Sequence, residues 1–260
     1  MTYALIGTGN MAWLMASRMM AAGHTCTGVW GRNSQATEAL CSNFHLPRLN
    51  SLSQLHDGVD ACILAVSDDA IPMVIKELAF RSTTLIHTAG SVPIQVLENN
   101  CLNAGVVWPV FAIRKNELPT HRQFATIIEG GTKQALFVVQ AVAKALSDIN
   151  YETNTPKRQA LHLAAVIGSN FTNYLLATSM EMCEAQGLPV SLLQPLLFQT
   201  FTATRNRNPA DLQTGPARRH DMETMNAHLR MLSKYPEHVE DLYKVLSKAI
   251  MDKYPLPLKA

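Results

Sequence analysis

Near the start of the chain, Thr2-Tyr3-Ala4-Leu5-Ile6 runs without a break into Gly7-Thr8-Gly9-Asn10-Met11-Ala12, and a helical pattern continues to Met20. A short apolar strand, a glycine turn and a helix start, in that order, are what a bound pyrophosphate requires. Gly7 permits the tight turn, Gly9 lets the backbone come close to an anion without a Cβ in the way, and Ala12 keeps the helix close to the strand. The free N–H groups of the first helical turn then face the negative charge. A chain that begins this way is predicted to build a doubly wound α/β sheet around that turn.

Residues 25–30 read as a second strand and close a βαβ unit of about thirty residues. A carboxylate at its tip would bond the ribose hydroxyls of NAD; the chain has Gly31-Arg32-Asn33-Ser34 instead. A guanidinium beside an amide and a hydroxyl suits a 2′-phosphate, so NADP is the expected cofactor, with Arg32 and Asn33 at its adenosine end. The competing reading of Arg32 is a solvated arginine that follows a strand. Apolar runs predict further strands over 60–65, 83–87, 106–108, 124–129 and 149–152, with helices over 35–44, 70–79 and 132–146 between them. Beyond Asn154-Thr155-Pro156 no strand pattern remains. Helical patterns recur over 157–186, 190–204, 218–232 and 237–253, which predicts a Rossmann-type domain over 1–153 and an all-α domain over 154–260. The first of these helices is apolar nearly all round, which predicts burial on every side and a homodimer partner to supply it.

Composition narrows the function classes. At 260 residues, 47% hydrophobic and 16% charged, the chain is a core-rich folded protein, and its net charge of +2 contains no dense basic block to attract nucleic acid or a membrane surface. The stretch 159–180 lacks Asp, Glu, Lys and Arg, yet holds His162, Ser169, Asn170, Thr172 and Asn173, which favours a buried helix over a membrane span. Five cysteines without CxxC spacing, and a strand at the N-terminus where a signal peptide would lie, predict a cytoplasmic protein with free thiols. Nine histidines without HxxH spacing predict no metal centre, and methionines 11, 15, 19 and 20 follow helical spacing as core packing.

Taken together, GTGNMA, ILAVSDDAI, HTAGSVP, HLAAVIGSNFTNYL and QTGPARRHD resemble a bacterial two-domain family in which a Rossmann-like domain precedes a helical domain of uncharacterised function. Its members are described as NADP oxidoreductases. The wider group includes pyrroline-5-carboxylate reductases, deazaflavin-dependent NADP reductases and β-hydroxyacid dehydrogenases. The resemblance spans essentially the whole chain. It implies a nucleotide lying across Gly7, Thr8, Gly9, Asn10, Met11 and Ala12, with Arg32 and Asn33 near the adenosine. Val66 and Ser67 would stand beside the pyrophosphate and nicotinamide ribose, and His87, Thr88, Gly90 and Ser91 near the nicotinamide. Substrate would lie between that last loop and the first helix of the helical domain. The sequence departs from the β-hydroxyacid dehydrogenases in one respect: where they carry a catalytic lysine about one turn before an asparagine, Ser169 or a nearby apolar residue stands, with Asn173 or Asn170 as that asparagine. That moves the expectation from alcohol oxidation towards imine or carbonyl reduction.

Hydride transfer needs an oriented nicotinamide and a donor for the developing charge. His87 is one candidate donor, with a strand-capping histidine as its alternative. Thr88 and Ser91 either hold the carboxamide or substrate, or cap the helix after Pro93. Asn170 and Asn173 lie on related faces of an apolar helix and must find partners, a ligand among them. Arg218 and Arg219 at a helix start oppose the dipole and point to a small anionic substrate or a salt bridge. The expected function is therefore reduction of a small carbonyl or imine by NADPH. The rivals are a catalytically silent NADP-binding sensor or interaction protein and, last, a methyltransferase on the same sheet.

Overall fold

The computed structural model describes residues 1–78, 80 and 82–256. Seven strands form one sheet: β1 (Thr2–Ile6), β2 (Thr25–Trp30), β3 (Ala61–Leu64), β4 (Thr84–His87), β5 (Ala104–Pro109), β6 (Ala125–Gly130) and β7 (Ile149–Glu152). Their spatial order is β2-β1-β3-β4-β5-β6-β7, parallel throughout except for the antiparallel β5–β6 pair. The apolar runs make this sheet because β1, β3 and β4 are covered on both faces and need no alternation. The order in which the chain lays down its strands reverses between β1 and β3, and at such a switch point a doubly wound sheet leaves its ligand crevice, at the carboxyl ends of the strands.

Helices α1 (Asn10–Ala21), α2 (Ser34–Phe44), α3 (Ile71–Lys76), α4 (Gln95–Glu98) and α5 (Lys133–Leu146) cover the sheet. One apolar cluster joins Leu14, Met15 and Met19 of α1 to Val139, Val142 and Leu146 of α5. The other joins Ile71, Val74 and Ile75 of α3 to Leu64, Leu85 and Leu97. The helix expected over 70–79 is shorter, a 3-10 turn over Asp68–Ala70 followed by α3; its expected end at Ala79 lies outside the described residues.

Helix α6 (Thr155–Ala165) follows β7 and is capped by Asn154, whose side chain accepts the Lys157 N–H at 3.2 Å. It leads into a π-helical turn, Val166–Phe171, and α7 (Thr172–Ala185). The chain divides into two compact units at Ser169/Asn170, later than the boundary expected at 153/154, because α6 is tied to the sheet. The second unit contains α7, α8 (Gln194–Ala203), α9 (Pro216–Arg219), α10 (Met222–Leu232) and α11 (Glu237–Lys253). Within it Met225, Leu232 and Val239 are buried.

One expectation requires correction. The helix expected over 218–232 breaks at His220, whose φ of 56° is left-handed, and restarts where Asp221 accepts the Thr224 N–H at 3.0 Å. Along the apolar stretch 157–186, Leu163, Ile167, Phe171 and Tyr174 are exposed.

Candidate functional site: a cleft at the glycine turn

Gly7 has a φ of 122°, and a Cβ there would stand 2.1 Å from the Ala65 carbonyl oxygen, so only glycine lets β1 turn this close to the end of β3. Two residues on, Gly9 precedes α1 in extended conformation; a Cβ there would point into open space. No side chain caps α1, and its first turn holds no acidic residue, so the orphan N–H groups and the positive helix end are left for an anion. They open on a cleft of about 560 Å³ whose walls include Gly7, Thr8, Gly9, Asn10 and Met11 on one side. Trp30, Gly31, Arg32 and Asn33 follow at the tip of β2, with Val66 and Ser67 after β3. Nine of the cofactor-binding residues expected from sequence thus line one cleft.

Their side chains are not all at liberty. Asn33 caps α2, accepting the Ala36 N–H at 2.9 Å, and Asn10 accepts the Lys115 N–H at 3.1 Å. Arg32 is exposed and, among the described residues, has no ion-pair partner. The Ser67 hydroxyl above all, with the Arg32 charge a lesser cause, holds the Asp69 carboxyl below its usual range. This donor set, free N–H groups at a helix N-terminus with an exposed guanidinium in the same cleft, suits a dinucleotide. Among the described residues no three His, Cys, Asp or Glu side chains converge as a metal site.

The end of β4 and the loop after it hold His87, Thr88 and Ser91. His87 is fully buried; its Nδ1 accepts the Ala89 N–H at 3.2 Å, and among the described residues its Nε2 makes no hydrogen bond of normal geometry. Burial first and the Arg158 charge second, offset in part by the Pro93 carbonyl, lower its pKa to about 3. An imidazole held neutral inside the sheet does not fit the proton-donor role expected of it. Thr88 is also buried and donates to the Leu64 carbonyl at 3.3 Å, which ties β4 to β3 in place of a ligand. Ser91 donates to Asp68, joining the loops after β4 and β3.

The group that organises this loop was missed in the sequence. Arg158 of α6 is wholly buried and pairs with Glu129 of β6 at 3.0 Å. Its Nη1 donates to the carbonyls of Ala89 at 3.1 Å and Gly90 at 2.8 Å, while Gln159 donates to Ser91 O at 2.7 Å. Thr155 gives both its N–H and its hydroxyl to Glu129, at 2.7 and 2.9 Å, and accepts the Ile94 N–H at 3.3 Å. The signal was the spacing of Thr155, Arg158 and Gln159 at i, i+3 and i+4, a polar stripe on one helix face. Asn170 and Asn173 are exposed, on the π-helical turn and in the first turn of α7. Arg218 forms no ion pair among the described residues. It stacks over the Tyr254 ring at 4.7 Å instead, and His220 Nε2 bonds the Tyr254 carbonyl at 2.8 Å.

Fold and cleft define a Rossmann-type dinucleotide-binding protein with a helical second unit. Residues 2–90 match the family described as NADP oxidoreductase, coenzyme F420-dependent, and residues 124–250 match a domain of unknown function, DUF2520. The two matches follow one another along the chain in the order that its motifs resemble. A candidate NADP oxidoreductase from Bacteroides fragilis is 28% identical, with a TM-score of 0.88 over 96% of this chain and 98% of that one. The 1-pyrroline-5-carboxylate reductase of Streptococcus pyogenes shares the fold at 17% identity and a TM-score of 0.64, covering 98% of both chains. An imine reductase of Myxococcus stipitatus in complex with NADP+ does so at 17% identity and 0.69, over 98% of this chain and 96% of that one. No curated protein matches the sequence.

Proposed function

We propose that the protein is an NADP(H)-dependent oxidoreductase that reduces a small carbonyl or imine compound. The observation that carries this reading is the uncapped glycine turn opening on a cleft that also bears Arg32, with no carboxylate at the tip of β2. The names of the similar proteins, NADP oxidoreductase and imine reductase among them, support it. Thr8 to Met11 would hold the pyrophosphate, Arg32 with the N-terminal turn of α2 the 2′-phosphate, and Val66 and Ser67 the nicotinamide ribose. The bound cofactor would supply the hydride. Asn170 and Asn173, exposed amides on and beside a π-helical turn of the kind that often marks a functional segment, are proposed as substrate contacts. A small anionic substrate would suit Arg219, which is exposed and makes no ion pair among the described residues. Fluorescence titration tests the cofactor: NADPH should bind at least about tenfold tighter than NADH, and Arg32→Ala should remove most of that difference, since a charge-assisted phosphate contact contributes about 1.5–3 kcal/mol. Equal affinities, or no binding, would end the NADP reading.

The neutral, buried His87 favours one second reading, an NADP-binding sensor without turnover. Steady NADPH binding with no oxidation across a panel of ketones and cyclic imines would support it. The exposed apolar residues of α6, α7 and α8 support a homodimer in which a second copy covers them, and five unpaired cysteines support a reducing, cytoplasmic setting. Among the described residues no helix is long and apolar enough to cross a membrane.

A further inference from the structure

Thr155, Arg158, Gln159 and His162 stand at i, i+3, i+4 and i+7 of α6, on one helix face. The first three are fully committed to the loop after β4 or to Glu129. The fourth is not: the His162 ring makes no hydrogen bond to any described residue. Packing alone fixes it. Its ring stands edge-on to Trp108 at 5.4 Å and 75°, and a Cβ added at Gly90 would lie 2.7 Å from its Nδ1. This ring is half-buried and packed against Trp108 and Gly90, and neither nitrogen bonds a described residue.

Its place in the sheet gives those nitrogens a use. The adenosine end of the cleft lies at the tip of β2, so the other half of a dinucleotide crosses the switch point towards the carboxyl ends of β3 and β4. Gly90, against which His162 packs, is in the loop that follows β4, and Ser91 ties that loop to Asp68, next to Ser67 of the cleft wall. We infer that His162 is the proton donor of the reduction, standing at the nicotinamide end of the cleft; the inference rests on the reductase reading above. A bound NADPH would supply the hydride for the new C–H bond, and the π pair of the C=O or C=N would move onto oxygen or nitrogen. The imidazolium N–H of His162 gives its proton to that atom and regains one from water at its open edge. The sum is one hydride and one proton added across the double bond, with NADPH oxidised to NADP+. Gly90 is then glycine because a side chain there would push the donor away.

Protein labelled with 15N at histidine and glycine tests the position, with His162→Gln to assign the signal. NADP+ should shift the His162 ring resonances, whereas 2′,5′-ADP, which lacks the nicotinamide, should shift the Gly9 amide and leave His162 unmoved. If NADP+ moves the Gly9 amide but not His162, the inference is overturned while the cofactor reading stands; if neither ligand moves Gly9, the cofactor reading fails and the inference falls with it. His162→Phe keeps a ring against Trp108 but has no proton to give. On a ketone or five-membered cyclic imine that the wild type reduces, it should lower kcat by about 10²–10⁴-fold with NADPH affinity within about twofold. An unchanged kcat would overturn the donor role.

Discussion

The residue that most alters the electrostatics of this protein is Arg158. A guanidinium with no exposed surface leaves Glu129 as its obligatory counter-charge, so removing one partner strands the other. Arg158→Ala should lower unfolding stability by about 3–5 kcal/mol in urea denaturation. Adding Glu129→Gln, whose amide oxygen still accepts from Thr155, should restore part of it. His87 sets a second expectation. Its folded pKa of about 3 lies below the ordinary value of 6.5. Between those two values the unfolded chain takes up a proton that the folded one refuses. Its contribution is therefore complete above about pH 6.5 and is lost as pH falls towards 3, with a slope approaching about 1.4 kcal/mol per pH unit. Urea midpoints measured from pH 7.5 down to 4.5 should fall less steeply in His87→Gln than in the wild type. Gly7 and Gly9 were legible in the sequence because their reason is local. The roles of Arg158 and His87 were not, since each depends on partners brought by other strands and loops: Glu129 lies on β6, and the burial of His87 needs the whole sheet.

At the scale of elements, strands buried on both faces were the easiest to read, because nothing but an apolar run can fill them. β5 extends beyond the expected 106–108 to Ala104–Pro109, since β4 pairs with its start and β6 with its whole length but one residue. Pro109 is tolerated as the strand's last residue, where its missing N–H breaks no further pairing. The break at His220 and the π-helical turn were invisible, because a left-handed histidine and a widened turn leave no periodic trace. α6 is the element whose assignment changed most. By composition it begins the helical domain, but by its bonds to Glu129, Ala89, Gly90 and Ser91 it belongs with the sheet.

For the whole molecule, the exposed apolar side chains set the expectation. Phe171, Leu192, Leu196 and Phe198 are each more than half exposed in the single chain, an arrangement that a soluble monomer seldom tolerates. Light scattering coupled to size-exclusion chromatography should give twice the mass of one chain. Phe198→Glu, at a side chain 72% exposed, should yield a folded monomer of unchanged helix content by circular dichroism. A wild-type monomer at micromolar concentration would refute the dimer.

The sequence alone determined the sheet, its glycine turn and the helical second half, because strand burial, turn geometry and helical periodicity act over a few residues. It also placed Arg32 at the tip of β2, since chain distance from the first turn fixes that position. Tertiary structure decided which polar groups after β4 remain free to react. Long-range pairing committed Thr88, Ser91, Arg158 and Gln159 to holding the loop and buried His87, and it left both His162 nitrogens without a hydrogen bond among the described residues.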